Sequence, residues 1–123
     1  MPRSRQSAKQ AGSRFERSIA DYLKEVTGDD SIDRLVRRGS KDCGDIANVK
    51  IHGHRIALEL KDVAKTDLPG WTNEAKVEAK NYGALAGFVI SKRRGTTDPS
   101  KQWVFGTVSE LVALITGEPQ EGQ

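Results

Sequence analysis

Along the chain, apolar positions first settle into a helical period after residue 13. Phe15, Ile19, Tyr22, Leu23 and Val26 fall at helical spacing, with Ser13 placed to cap the start and Gly28 to end it. Residues 1–11 are polar, basic and without period, and read as a flexible arm. Beyond the turn-rich residues 28–31, residues 32–38 read as a strand and 39–44 as a loop. Residues 45–51 and 55–61 are two further strands, joined through His52, Gly53 and His54 as a hairpin. From Thr72 to Tyr82 the composition is helical. Residues 86–92 read as a buried strand and 102–108 as another, and Ser109 caps a short helix over 110–116. An early hairpin followed by a helical crossover predicts an α/β sandwich around a mixed sheet. The pattern fits one domain over residues 12–117 with a disordered tail at 118–123, and no internal repeat is present.

Composition changes this picture in two ways. The 123 residues carry a net charge of +3 and an unusually polar 30% of charged residues, which favours an anionic partner. The excess is modest, so its distribution matters more. Arg3, Arg5, Lys9 and Arg14 form one cluster, Arg34, Arg37, Arg38 and Lys41 a second, and Lys92, Arg93, Arg94 and Lys101 a third. Brought together, they would track a phosphate backbone. The lone Cys43 excludes an intramolecular disulfide and a four-cysteine zinc site. No apolar run approaches the roughly 20 residues of a membrane span, and the basic amino terminus lacks the apolar segment of a secretion signal. A soluble, cytoplasmic protein is expected.

The candidate chemistry lies in "IALELK", residues 56–61. A Glu-x-Lys triplet occurs three times, at Glu59, Glu74 and Glu78. On a helix, residues two apart point about 200° from each other, whereas on a strand they share a face. Only Glu59 and Lys61 therefore converge. With a three-residue hairpin loop, Ile51 pairs with Arg55, Asp45 stands opposite Lys61, and Glu59 stands opposite Ala47. This register puts Asp45 on the same face as Glu59 and Lys61, beside the small Ala47 and Ala57; a two-residue loop would reverse it. Two carboxylates and a lysine facing one pocket suit phosphodiester hydrolysis. Their oxygens match a hard divalent ion such as Mg²⁺, and lysine can orient water or offset charge at phosphorus.

Gly44-Asp45, thirteen intervening residues, then Glu59-Leu60-Lys61 resembles the PD-(D/E)xK nuclease motif, with Gly44 where the motif has proline. The size of the chain, "GSRFERSIADYL" with Glu16, and "VRRGS" ahead of the aspartate resemble the archaeal and phage Holliday junction resolvases within that superfamily. The resemblance covers roughly residues 12–95. It implies a restriction-endonuclease-like α/β/α sandwich with an α-β-β-β-α-β core, and Mg²⁺, or Mn²⁺, at Asp45, Glu59 and the Leu60 carbonyl. It further implies that Lys61 serves the water nucleophile, that Glu16 reaches the metal site, and that Arg37, Arg38 and Ser40 hold the scissile phosphate. Arg14 and Lys41 add to the expected DNA surface. The expected partners are a four-way DNA junction and a second copy of the chain, since paired cuts call for a two-fold enzyme. Another nuclease of the superfamily and a non-catalytic DNA-binding protein are the alternatives.

Other residues read more simply. Ser13 and Glu16 are also spaced as a capping box, which competes with a catalytic Glu16. His52 and His54 flank a hairpin glycine without further ligands nearby. Trp71 and Trp103 read as packing residues, Glu78 and Tyr82 share one face of the second helix, where they either line the site or are simply exposed, and Cys43 lacks a base to make it a nucleophile.

Overall fold

The computed structural model of the chain describes residues 3–37 and 39–120. Its first helix, α1, spans Arg5–Thr27. Ser4 caps it by accepting the Ser7 N–H at 3.1 Å, and Gly28, at φ 71°, closes it by donating to the Lys24 carbonyl at 3.0 Å. The helix therefore begins well ahead of Ser13. The flexible-arm reading of residues 1–11 is corrected from Ser4 onward, while Met1 and Pro2 lie outside the described residues. The physical reason is that Arg, Gln, Ala and Lys propagate a helix well once Ser4 has capped it. Burial of Ala11 extends the stripe of Phe15 and Ile19 by one turn, which ties that segment down.

Six strands follow. β1 (Asp33–Arg34) and β2 (Ile46–Ala47) pair antiparallel as a small two-stranded sheet. β3 (Lys50–Ile51), β4 (His54–Lys61), β5 (Ala86–Ser91) and β6 (Trp103–Phe105) form a mixed four-stranded sheet in the order β3-β4-β5-β6. Among the described residues only β4 and β5 run parallel, and the connection between them carries helix α2 (Leu68–Tyr82). Helix α3 (Val108–Thr116) ends the fold, so the described residues make a mixed α/β arrangement of three helices and these two sheets. Several boundaries moved. α2 starts at Leu68, ahead of Thr72, because the Asp67 carboxylate caps it by accepting from the Gly70 N–H at 3.1 Å and Pro69 suits a first helical turn. α3 is capped at Thr107, and Ser109 lies within it.

The alternation of β4 separates two packing layers. Leu58 and Leu60 join Phe15, Ile19 and Ile90 under α1, whereas Ala57 packs with Ala79 and Tyr82 under α2. Phe88 touches both the α1 core and the cluster of Leu85, Ala86 and Ala113 against α3, which sets α1 and α3 on one face and α2 on the other. On the α2 face small residues permit close approach, since a Cβ at Gly87 would run into the Ala75 carbonyl. Glu59 and Lys61 belong to this second face.

The hairpin register differs from expectation. Ile51 pairs with His54 and Lys50 with Arg55, so the loop is the two residues His52 and Gly53, both left-handed at φ 50° and 82°. Ala47 pairs with Asp33 on the β1 edge, and the β3–β4 ladder ends at Lys50 and Arg55 before reaching it. The ladder is then interrupted. Val49 accepts from Ile56 N–H at 2.8 Å and Asp45 N–H donates to the Leu58 carbonyl at 2.7 Å, an advance of four residues on one strand against two on the other. Asn48, at φ 68°, absorbs the surplus as a bulge, with its N–H donating to the Tyr82 hydroxyl at 3.1 Å.

Candidate functional site

The site grows from the end of β4. Lys61 gives its carbonyl to the Lys92 N–H on the β5 side, which turns the backbone groups of Leu60 to the opposite edge. There the Leu60 N–H meets the Asp45 carboxylate at 2.8 Å. Asp45 is pinned on three sides, since its own N–H donates to Leu58 and its carbonyl accepts from Leu35 at 2.8 Å. Gly44 just before it has φ 96°, which proline cannot adopt, and a Cβ there would lie 3.0 Å from the Leu58 carbonyl. The glycine at the motif's proline position is thus a geometric requirement of this loop.

Asp45 and Glu59 come near each other despite the altered register, close enough for the Asp45 carboxylate to raise the pKa of Glu59. The Lys61 ammonium lies 3.2 Å from Glu59 Oε2 and 2.9 Å from Glu74 Oε1 on α2. Glu59 is 6% exposed and its Oε1 has no partner among the described residues. Burial first, then the Asp45, Glu78 and Glu74 carboxylates, push its pKa up to about 10. Glu78 is 1% exposed, with neither oxygen partnered, and is pushed up to about 8 by burial and by Asp42, Glu74 and Asp45. For Lys61, burial opposes the charge, but Glu74 and Glu59 outweigh it and raise the pKa.

Glu16 is a half-buried residue of α1 whose Oε1 accepts from Arg34 Nε and Nη2, both at 3.1 Å. Burial and the nearby Asp45 charge raise its pKa against the pull of Arg34. The capping-box alternative falls away, because Ser13 lies in mid-helix. Glu78 and Tyr82 are buried rather than exposed, a correction that places both against the sheet. The signal was available, since Trp71, Ala75, Glu78, Ala79 and Tyr82 form one helical stripe. What hid it was the charge of Glu78. Glu74 and Asp42 were the functional candidates that sequence reasoning missed; with Glu78 and Glu59 they each offer an oxygen within 4.8 Å of the others. This cluster could hold a metal ion.

The basic residues divide between two places. Arg34, Arg37 and Lys41 line a cavity of about 450 Å³ with Gly44, the residue before Asp45, and Tyr82. Arg37 also braces its loop by donating to the Ser40 carbonyl at 2.8 Å, and Arg38 lies outside the described residues. Arg14 instead lines a cavity of about 330 Å³ with Arg3, Phe15 and Lys92, so the clusters do not share one pocket. Trp71 is buried as expected, but Trp103 is 47% exposed beneath the Arg93 guanidinium, 4.5 Å from the ring centre. Among the described residues no helix is long and apolar enough to cross a membrane.

No family model matches the chain, and neither a curated protein nor a solved structure shows significant similarity to it.

Proposed function

We propose that the protein is a divalent-metal-dependent endodeoxyribonuclease of the PD-(D/E)xK type that resolves four-way DNA junctions as a homodimer. One arrangement carries the reading. The Asp45 carboxylate, held at the Leu60 N–H, raises the pKa of neighbouring Glu59, a buried Glu59 oxygen has no partner among the described residues, and the Lys61 ammonium stands 3.2 Å from the other Glu59 oxygen. An orphaned carboxylate oxygen beside a second carboxylate is the donor set of a hard cation. The succession of α1, the four strands β1–β4, α2 and β5 is compatible with an α/β sandwich of the kind the motif implies.

Asp45, Glu59 and the Leu60 carbonyl would hold Mg²⁺ or Mn²⁺. When bound, such an ion supplies Lewis acidity toward a phosphoryl oxygen and lowers the pKa of water. Lys61 orients the attacking water and offsets charge developing at phosphorus. Glu16, held by Arg34, adds a polar group on the Asp45 side. Arg37, Lys41 and Ser40 position the phosphate from the loop that lines the basic cavity, leaving base edges unread. Resolution needs two symmetric cuts, which a two-fold pair of such sites delivers.

The test is cleavage of an end-labelled four-way junction, beside a linear duplex of the same sequence, with and without Mg²⁺. Symmetric paired nicks in the junction alone, leaving 5′-phosphates and only with the metal, are expected. Equal cutting of the duplex would reassign the protein to another nuclease of this chemistry, and no metal-dependent cleavage would leave a DNA-binding protein.

A further inference from the structure

We propose that Trp103 is a stacking site for an unpaired DNA base, set beside the reacting phosphate and selecting branched or single-stranded DNA over linear duplex. The inference rests on the reading of Lys61 as part of a nuclease centre and adds what phosphate contacts lack, a means of telling a branch from a duplex. Pairing across the sheet fixes the place. Lys61 pairs with Ser91 and Ser91 with Trp103, and paired residues share a face, so the three form one row across the end of the sheet. The next row, Glu59, Val89 and Phe105, gives the side, because Val89 and Phe105 pack with Trp71 of α2. Two strand spacings put the Trp103 backbone about 10 Å from that of Lys61.

Trp103 is 47% exposed on the edge strand β6, whereas Trp71 is 7% exposed. Packing accounts for Trp71 and leaves the other indole at the surface. The Arg93 guanidinium lies 4.5 Å from the Trp103 ring centre, and its loop is braced, since Gln102 Oε1 accepts from the Arg93 N–H and Gln102 Nε2 donates to the Asp98 carbonyl, both at 2.7 Å. Arg93, Arg94 and Lys101 are all exposed on this loop, and its one acid, Asp98, is engaged by Ser100. A flat π surface among cations binds single strands, the ring taking a base face and the cations the phosphates. Taking a base out of a duplex costs stacking and pairing, least where the pairing is already broken, as at a branch point. A second copy of the chain is the competing occupant of an edge strand. A two-fold contact there, however, would bring the same three cations of both copies together.

The experiment follows tryptophan fluorescence of the full-length Trp71→Phe chain, in which Trp103 is the remaining tryptophan, with chelator present so that nothing is cleaved. Oligothymidine and a four-way junction with hairpin-closed arms should both quench the emission, and a hairpin-closed linear duplex should not. Should Trp71→Phe fail to fold, the difference in emission between wild type and Trp103→Phe reads the same signal. Trp103→Ala should weaken oligothymidine binding by about 5- to 100-fold at fixed salt, and Trp103→Phe should restore most of it. Failure of either ligand to quench, equal quenching by the closed duplex, or wild-type affinity in Trp103→Ala overturns the site. Emission that shifts with protein concentration in the absence of DNA gives the ring to a second copy and overturns it too. Because no cleavage is read, the two readings separate. A chain that cleaves junctions without Trp103 quenching keeps the nuclease and loses this site, whereas one that shows the quenching and cleaves nothing keeps this site and loses the nuclease.

Discussion

Removing divalent metal should make the stability of the protein fall as pH rises from about 5 to about 8, and Mg²⁺ should reverse the loss. The sign follows from proton binding. Burial and neighbouring carboxylates raise Glu78 from 4.5 to about 8 in the folded chain, so between these values the folded state holds a proton that the unfolded state has released. Stability is fully present below the unfolded value and is lost as pH climbs through the folded one. Glu59, pushed up to about 10, also keeps in the folded chain a proton that the unfolded chain has released, so it adds to the loss in this window and extends it toward pH 10. At 1.36 kcal/mol per unit, the Glu78 share alone is about 5 kcal/mol, a large part of the 5–15 kcal/mol of a typical domain. Mg²⁺ competes with those protons and should help most where they are leaving. At a hundredfold excess over its Kd it contributes about 2.7 kcal/mol, or a rise of about 10 °C in Tm for a chain of this size. Thermal unfolding by circular dichroism at pH 5, 6.5 and 8, with chelator or with Mg²⁺, reads both effects. A metal-free Tm that is level or rising across this range would refute the buried-carboxylate reasoning, as would a Mg²⁺ effect as large at pH 5 as at pH 8.

Asp45→Asn and Glu59→Gln should each bring junction cleavage below detection while gel-shift binding and the unfolding midpoint stay near wild type, because an amide keeps the volume and removes the anion; wild-type turnover in either would remove the metal-site assignment. Lys61→Ala should slow single-turnover cleavage by about 10²–10³-fold, the cost of losing one preorganised charge at the reacting group. A loss of Mg²⁺ affinity in calorimetry instead would make Lys61 a support of the site. Arg37→Gln and Lys41→Gln should each lower the slope of log affinity against log salt by about 0.9 if each neutralises one phosphate; an unchanged slope would take that residue off the DNA surface. Gly44→Ala should cost about 1–2 kcal/mol in urea unfolding, from its positive φ and the close Leu58 carbonyl, and an unaltered midpoint would show that the loop relaxes freely.

The shared face of Glu59 and Lys61 was legible because strand alternation is local: Ile56, Leu58 and Leu60 were bound to seek the core, and the residues between them had to face the other way. The approach of Asp45 was not legible by the route that sequence offered. Hairpin register depends on a single loop residue, and the chain uses the left-handed His52-Gly53 turn followed by a bulge at Asn48. Asp45 reaches Glu59 all the same, because its backbone and carboxylate together take over the ladder along β4. The start of α1 was hidden for a different reason. Residues 5–11 carry a single buried side chain, Ala11, so amphipathic period was silent and only the Ser4 cap and intrinsic propensity signalled a helix. Glu78 was concealed by the general rule that charged helical residues face water, a rule that fails where a charge has been placed to serve a partner.

The position of the cluster follows from the way the two layers are filled. Under α1 the sheet presents Leu58, Leu60 and Ile90, large side chains that pack into Phe15 and Ile19 and leave no room for polar groups. Under α2 it presents Ala57 and Gly87, and this allows the helix to sit close enough for Glu74 and Glu78 to reach the end of β4. A larger residue at Gly87 would lift α2 and separate the carboxylates without touching any of them. The small residues of the α2 face are therefore part of the chemistry, because they fix the distance across which Asp42, Glu59, Glu74 and Glu78 share one charge environment. The same closeness denies these carboxylates enough solvent to remain ionised alone, so the packing that brings them together is also what makes a bound cation favourable.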